Sequence, residues 1–178
     1  PLQRISPQFV ADSRTVGGSL FRIQRDTRFS KDKSPYKLNT GRLFRHELAI
    51  DALAPGFYVH VQPRRCFMGV GLWNPESKVA YSIRHYIDEN QSRWIDATTN
   101  EEFSSVFTLG GDLLVRPPRG FEADHPLVDD LRRKSFMATA NLTQKQVTST
   151  GFADLFEGNC RRSVPLMSLL CDAVGIAF

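Results

Sequence analysis

Residues 56–73 read GFYVHVQPRRCFMGVGLW, two apolar runs of alternating character split by Pro63, Arg64 and Arg65. Period-two alternation on both sides of a Pro-containing break predicts a β-hairpin. With Arg64 and Arg65 as the loop residues, His60 stands opposite Gly69 and Tyr58 opposite Gly71, while Val59, Val61, Met68 and Val70 line the other face. Two glycines beside a His and a Tyr leave an open patch where a helix or a ligand can approach the sheet. The turn therefore decides the face: a slip of one residue would exchange the exposed and buried sets.

Outward from the hairpin, Asn74-Pro75-Glu76 has the pattern of a helix start, with Asn as N-cap and Pro at the first helical position. Val79, Ile83, Tyr86 and Ile87 follow as an apolar stripe at helical spacing, which predicts a helix covering the sheet. Further on, residues 101–109 read as a short helix broken by Gly110-Gly111-Asp112, and residues 113–115 as extended chain. Asp124-His125-Pro126 opens a helix running to about Arg132, and residues 134–139 have strand character. Residues 152–157 and 165–174 read as helices, the second closed by Gly175. Upstream, residues 1–18 are irregular, and residues 20–26 alternate like a strand after Gly17-Gly18. Strands in meander order with helices between them, and no βαβ rhythm, define the α+β class: a mainly antiparallel sheet with helices packed on it. A chain of 178 residues buries about 70% of its unfolded surface, so residues 1–178 are expected to form a single domain.

Composition narrows the setting. Cys66, Cys160 and Cys171 are odd in number and show no zinc-ligand or disulfide spacing, which fits a reducing cytosol. No run approaches the roughly 18 apolar residues that span a bilayer, so no membrane partner is expected. The first residues carry no signal-peptide layout, and the missing initiator Met leaves processing or truncation open.

The charge is uneven. Residues 21–45 hold eight Lys and Arg against Asp26 and Asp32, a formal balance of +6, whereas the whole chain carries +4, which leaves −2 for the remainder. A localised excess of this kind attracts phosphates or carboxylates, and the interleaved Phe, Ile, Tyr and Leu predict an ordered segment and not a basic tail. Arg25, Arg28, Lys31, Lys33, Tyr36 and Lys37 are its candidate ligand-binding residues, joined by Tyr58 and His60 on the hairpin, by Arg116 and Arg119 around the rigid Pro117-Pro118, and by Lys134. Arg25 shares a strand face with Phe21 and Ile23; if that face is buried, its guanidinium requires an internal carboxylate or an anionic ligand. His60 and Asp26 are the candidate catalytic groups, although a mid-strand His between valines is more often structural. No HxxxH or HExxH spacing supports a metal, and no P-loop, GxGxxG or nucleophile elbow calls for a cofactor or assigns a reaction. Three functions remain: a protein, enzyme or not, that grips a small phosphate- or carboxylate-bearing molecule; a nucleic-acid-binding module; and a structural or partner-binding domain with these charges paired internally.

RIQRDTRFSKDKSPYK, GFYVHVQP and LVRPPRGFEADHPLVDDLRRKSF together resemble an uncharacterised family known as domain of unknown function 2461. The resemblance runs from Phe21 to Phe178 and implies a shared fold and a shared site location. It places that site on the Arg25 to Lys37 motif, on His60, on Arg116, Pro117, Pro118, Gly120 and Phe121, on Asp124, His125 and Pro126, and on Lys134 and Phe136. It brings no activity. The family pattern also implies a glycine at the hairpin turn, where this chain has Arg64, and an upstream helical region with an Asn-Arg-x-Trp-Phe motif that this chain does not show.

Overall fold

The computed structural model describes residues 2–14, 17–25, 28, 31, 33–48 and 54–178. In chain order its elements are a short 3-10 turn, Leu2–Arg4, then strands β1 (Phe9–Val10), β2 (Thr40–His46), β3 (Gly56–Gln62) and β4 (Arg65–Leu72), and helices α1 (Ser77–Glu89), α2 (Gln91–Thr99) and α3 (Glu101–Ser104). There follow β5 (Thr108–Gly110), α4 (Val128–Leu131), β6 (Phe136–Leu142), α5 (Gln144–Val147), α6 (Phe152–Arg162) and α7 (Val164–Ala173). The strands form one antiparallel sheet in the order β1-β2-β3-β4-β6-β5. This is the α+β architecture that the sequence predicts.

The hairpin is present, with a register two residues away from the expected one. Gln62 pairs with Arg65, so the turn residues are Pro63 and Arg64; His60 then faces Phe67, and Tyr58 faces Gly69. Arg64 takes φ +66°, a left-handed conformation that ordinarily selects glycine. Because the displacement is even, each side chain stays on its expected face.

One face is the core. Phe57, Val59, Met68, Val70, Leu72, Phe136, Ala138 and Ala140 are all buried on it. α7 packs on β4 and also contacts α1 and α2. Its Leu166, Met167, Leu169 and Leu170 are fully enclosed, each worth roughly 1.5–3 kcal/mol of burial. α1 contributes Ala80, Ile83 and Ile87, and α2 contributes Trp94, whose indole Nε1 donates to Asp130 Oδ2 at 2.9 Å. Arg84 of α1 is buried as well. Its guanidinium donates to the carbonyls of Leu131 (2.6 Å) and Arg133 (2.8 Å), holding α4 against α1, while burial lowers its pKa.

Local chemistry explains the remaining differences. Asn74 does not cap α1: it takes φ +47° and donates its N–H to Ser135 Oγ at 2.9 Å, so the helix starts only after Glu76. The helix expected over 101–109 ends at Ser104, and Thr108–Gly110 becomes the edge strand β5. Of the strand expected over residues 20–26, the described residues 20–25 contribute isolated bridges at Leu20 and Gln24 and no continuous strand. α7 closes as expected, with Gly175 at φ +76° and the N–H groups of Gly175 and Ile176 donating to the carbonyls of Asp172 and Cys171. All three cysteines are buried free thiols, and burial pushes Cys171 up to about 12 and Cys160 higher still.

Candidate functional site

Cross-strand pairing fixes what the second face of the sheet carries, because directly opposed residues of an antiparallel pair share a face. Gly41, Leu43 and Arg45 come from β2, Tyr58, His60 and Gln62 from β3, Arg65, Phe67, Gly69 and Gly71 from β4, and Met137, Thr139 and Asn141 from β6. None of these is a carboxylate, and two are arginines. The central aromatics form a connected group: Tyr58 Oη lies 3.0 Å from His60 Nδ1, His60 Nε2 lies 3.2 Å from Gln62 Oε1, and the His60 and Phe67 rings stack at 4.8 Å. With Gln62 Oε1 as acceptor, Nε2 carries the imidazole proton and the phenol donates to Nδ1. Both ring nitrogens of His60 are thus engaged, and the ring orients the Tyr58 phenol. Burial raises the Tyr58 pKa, and the nearby Arg65 charge partly offsets this. The Arg65 guanidinium lies 5.6 Å from the centre of the Phe67 ring.

Next to this face the basic segment leaves the sheet as an arm. Phe21 N–H donates to the carbonyl of Gly41, Arg25 N–H to that of Pro35, and Lys37 N–H to that of Ile23, so the two legs of the arm pair with one another before β2 begins. Its apolar residues are not buried: Phe21 is 37% exposed, Ile23 54% and Tyr36 59%. Phe21 and Ile23 therefore do not form the buried face expected, whereas the Nε atom of Arg25 is itself buried. Arg25, Arg28 and Lys33 each have an interaction partner, and Lys31 is exposed. Asp26, the second candidate catalytic group, lies outside the described residues.

Where the arm rejoins β2, a half-open cleft of about 340 Å³ is lined by Gly17, Gly18, Leu20, Phe21, Arg22, Lys37 and Arg45. Three cations line it and, among the described residues, no acid does. Among the described residues, none of the three makes an ion pair. Phe21 links the cleft to the aromatic face, its ring centre 6.0 Å from that of Tyr58. The link is close because Gly41 lies beneath: a Cβ there would come within 2.6 Å of Tyr58 Oη and 3.1 Å of the Phe21 ring. Of the candidates read from sequence, Lys37 lines the cleft and Tyr58 and His60 lie beside it. Arg22 and Arg45 were visible as charges in the basic run, but only the pairing with β3 shows that Arg45 faces the same side as Tyr58.

The other candidates lie elsewhere. Arg132 Nε donates to Leu114 O at 2.7 Å and Leu113 bridges to Arg133, which fixes the chain leading into Arg116 and Arg119 beside α4. Lys134 N–H donates to Asp112 O in the same region. β5, the edge strand on that side, stands four strand spacings from β2, about 19 Å. His125 caps the chain entering α4, accepting from Leu127 N–H at Nδ1 and donating from Nε2 to Asp88 at 2.9 Å. His46 is likewise structural, bonded to Leu48 N–H and to Ala177 O. Among the described residues no group of three His, Cys, Asp or Glu side chains could hold a metal ion, and no helix is long and apolar enough to cross a membrane.

Fold and site together define an α+β protein with helices on one face of an antiparallel sheet and, on the other, an aromatic surface that carries no acid among its described residues and is bordered by basic side chains. The chain belongs to the family described as Conserved hypothetical protein (DUF2461), whose pattern matches residues 1–168. That match begins well before Phe21, so it takes in β1 and the Gly17-Gly18 turn as well as the three motifs. No curated protein and no solved structure matches the chain.

Proposed function

We propose that the protein binds a small phosphate- or carboxylate-bearing molecule, with the anion held by Arg22, Lys37 and Arg45 and the remainder of the ligand lying towards Phe21 and Tyr58. The observation that carries this reading is the cleft itself: three cationic side chains around about 340 Å³, with no ion pair to any described residue. Unpaired cations that converge on a concave surface repel one another, and an anion relieves that repulsion. The buried thiols fit a reducing, cytoplasmic setting.

Calorimetric titration with inorganic phosphate and with acetate tests the reading. Each charge-assisted hydrogen bond contributes about 1.5–3 kcal/mol, so Arg45→Ala and Lys37→Ala should each weaken phosphate binding roughly ten- to a hundredfold while leaving the melting temperature nearly unchanged. No binding of either anion by the parent protein refutes it. The aromatic face, with no acid among its described residues and with Arg65 on Phe67, favours a second reading, a single-stranded nucleic acid laid across the sheet. That reading requires log affinity to fall with log salt at a slope of about −0.7 per phosphate contacted.

A further inference from the structure

We propose, resting on the anion reading above, that the ligand is a phosphomonoester carrying a flat aromatic group, a molecule of the mononucleotide class. Charge is the first argument. A monocarboxylate neutralises one of the cations Arg22, Lys37 and Arg45 and leaves an excess in a cleft with no acid among its described lining residues. A phosphomonoester is close to a dianion at neutral pH and offers three terminal oxygens, so each cation finds an acceptor.

The apolar part of the lining gives the second argument. Leu20 and Phe21 stand beside the cations, and Phe21, with Tyr58 on one side, is 37% exposed. A ring held from behind and open in front is a stacking surface, already ordered before the ligand arrives. Size supplies the third. About 340 Å³ lies near the lower end of the roughly 300–1,000 Å³ range of small-molecule sites, which suits one nucleotide. Gly17 borders the same space at φ +75° and would bring no side chain against the ligand.

The test compares inorganic phosphate, ribose 5-phosphate, AMP and adenosine by calorimetry on the whole chain at fixed ionic strength. AMP should bind about tenfold or more tightly than ribose 5-phosphate, the advantage expected of one stacked base, and adenosine should bind more weakly than either. Phe21→Leu keeps the apolar volume and removes the flat ring. It should bring the ratio of AMP to ribose 5-phosphate affinity down to about one, and a ratio that stays at about ten or more overturns the stacking role of Phe21. Equal affinity for AMP and ribose 5-phosphate overturns the aromatic ligand but leaves the anion reading standing, whereas failure of phosphate, ribose 5-phosphate and AMP alike overturns both. A twelve-residue oligothymidylate that outcompetes AMP a hundredfold with a salt slope of several phosphates also overturns the proposal, in favour of a polymeric ligand.

Discussion

Gly71→Ala tests the geometry that holds the open face in place. Gly71 takes φ +111° in the middle of the sheet, between Gly56 on β3 and Met137 on β6. A Cβ there would overlap the carbonyl oxygen of Phe136 and approach Met137 Cα to 2.9 Å and Phe136 carbonyl carbon to 3.2 Å. All three atoms are backbone of the neighbouring strand, so relief requires β4 and β6 to separate. The strained φ costs about 1–3 kcal/mol and the overpacking a similar amount, giving about 2–6 kcal/mol in all. For a chain of this size that lowers Tm by about 5–20 °C. Two other glycines of the same face calibrate the result. Gly41→Ala meets only side-chain atoms, the outer end of Tyr58 and the edge of the Phe21 ring, at the cost of the Tyr58–His60 hydrogen bond, about 0.5–1.5 kcal/mol. Gly110→Ala meets nothing within 4 Å and should stay within about 0.5 kcal/mol of the parent. Urea unfolding followed by circular dichroism, with a common m-value, should rank the losses Gly71 > Gly41 > Gly110. A Gly71→Ala loss smaller than that of Gly41→Ala would refute the reasoning.

Two further outcomes follow from single residues. Burial holds the Tyr58 phenol above its usual value of 10.0, so above about pH 10 the unfolded chain has given up a proton that the folded chain retains. Stability therefore falls as pH rises through that range and levels off above the folded pKa; urea midpoints from pH 9 to 11.5 should fall less steeply in Tyr58→Phe, and identical slopes would count against the burial. Arg84→Met keeps the apolar stem but strands the carbonyls of Leu131 and Arg133, costing about 2–4 kcal/mol. Phosphate affinity should not change, since Arg84 lies on the helical side; a melting curve like the parent's would mean that the two carbonyls find other donors.

Much of the fold was legible because its elements announce themselves locally. The alternation of residues 57–61 and 66–70 marks the hairpin, and Val79, Ile83 and Ile87 mark the covering helix. The register was not legible because an arginine, Arg64, occupies the left-handed turn position, where a reader looks for glycine or asparagine. β5 was missed for a different reason: Thr108, Leu109 and Gly110 are too few to show a period, and their strand identity comes from β6, some thirty residues on. The site was legible as charge but not as place. Lys37 and Arg45 belong to one basic run, yet only the pairing of β2 with β3 brings Arg45 beside Phe21. The same topology puts Arg116, Arg119 and Lys134 on the far side of the sheet, which no spacing in the chain foretells.

The sheet order also sets the sequence of events by which the surface comes into being. β3 and β4 close across two residues and can pair within about 1–10 μs. β6 returns to β4 only after an excursion of 64 residues at its nearest pair, Leu72 with Phe136, and loop closure of that length is slow. During folding, β2, β3 and β4 can therefore present Tyr58, His60 and Phe67 while the far edge of β4, with its unmet N–H and C=O groups, awaits its partner. Until β6 arrives, that edge is open to pairing with another chain, and it closes when Ala138 and Ala140 come to lie opposite Val70 and Met68.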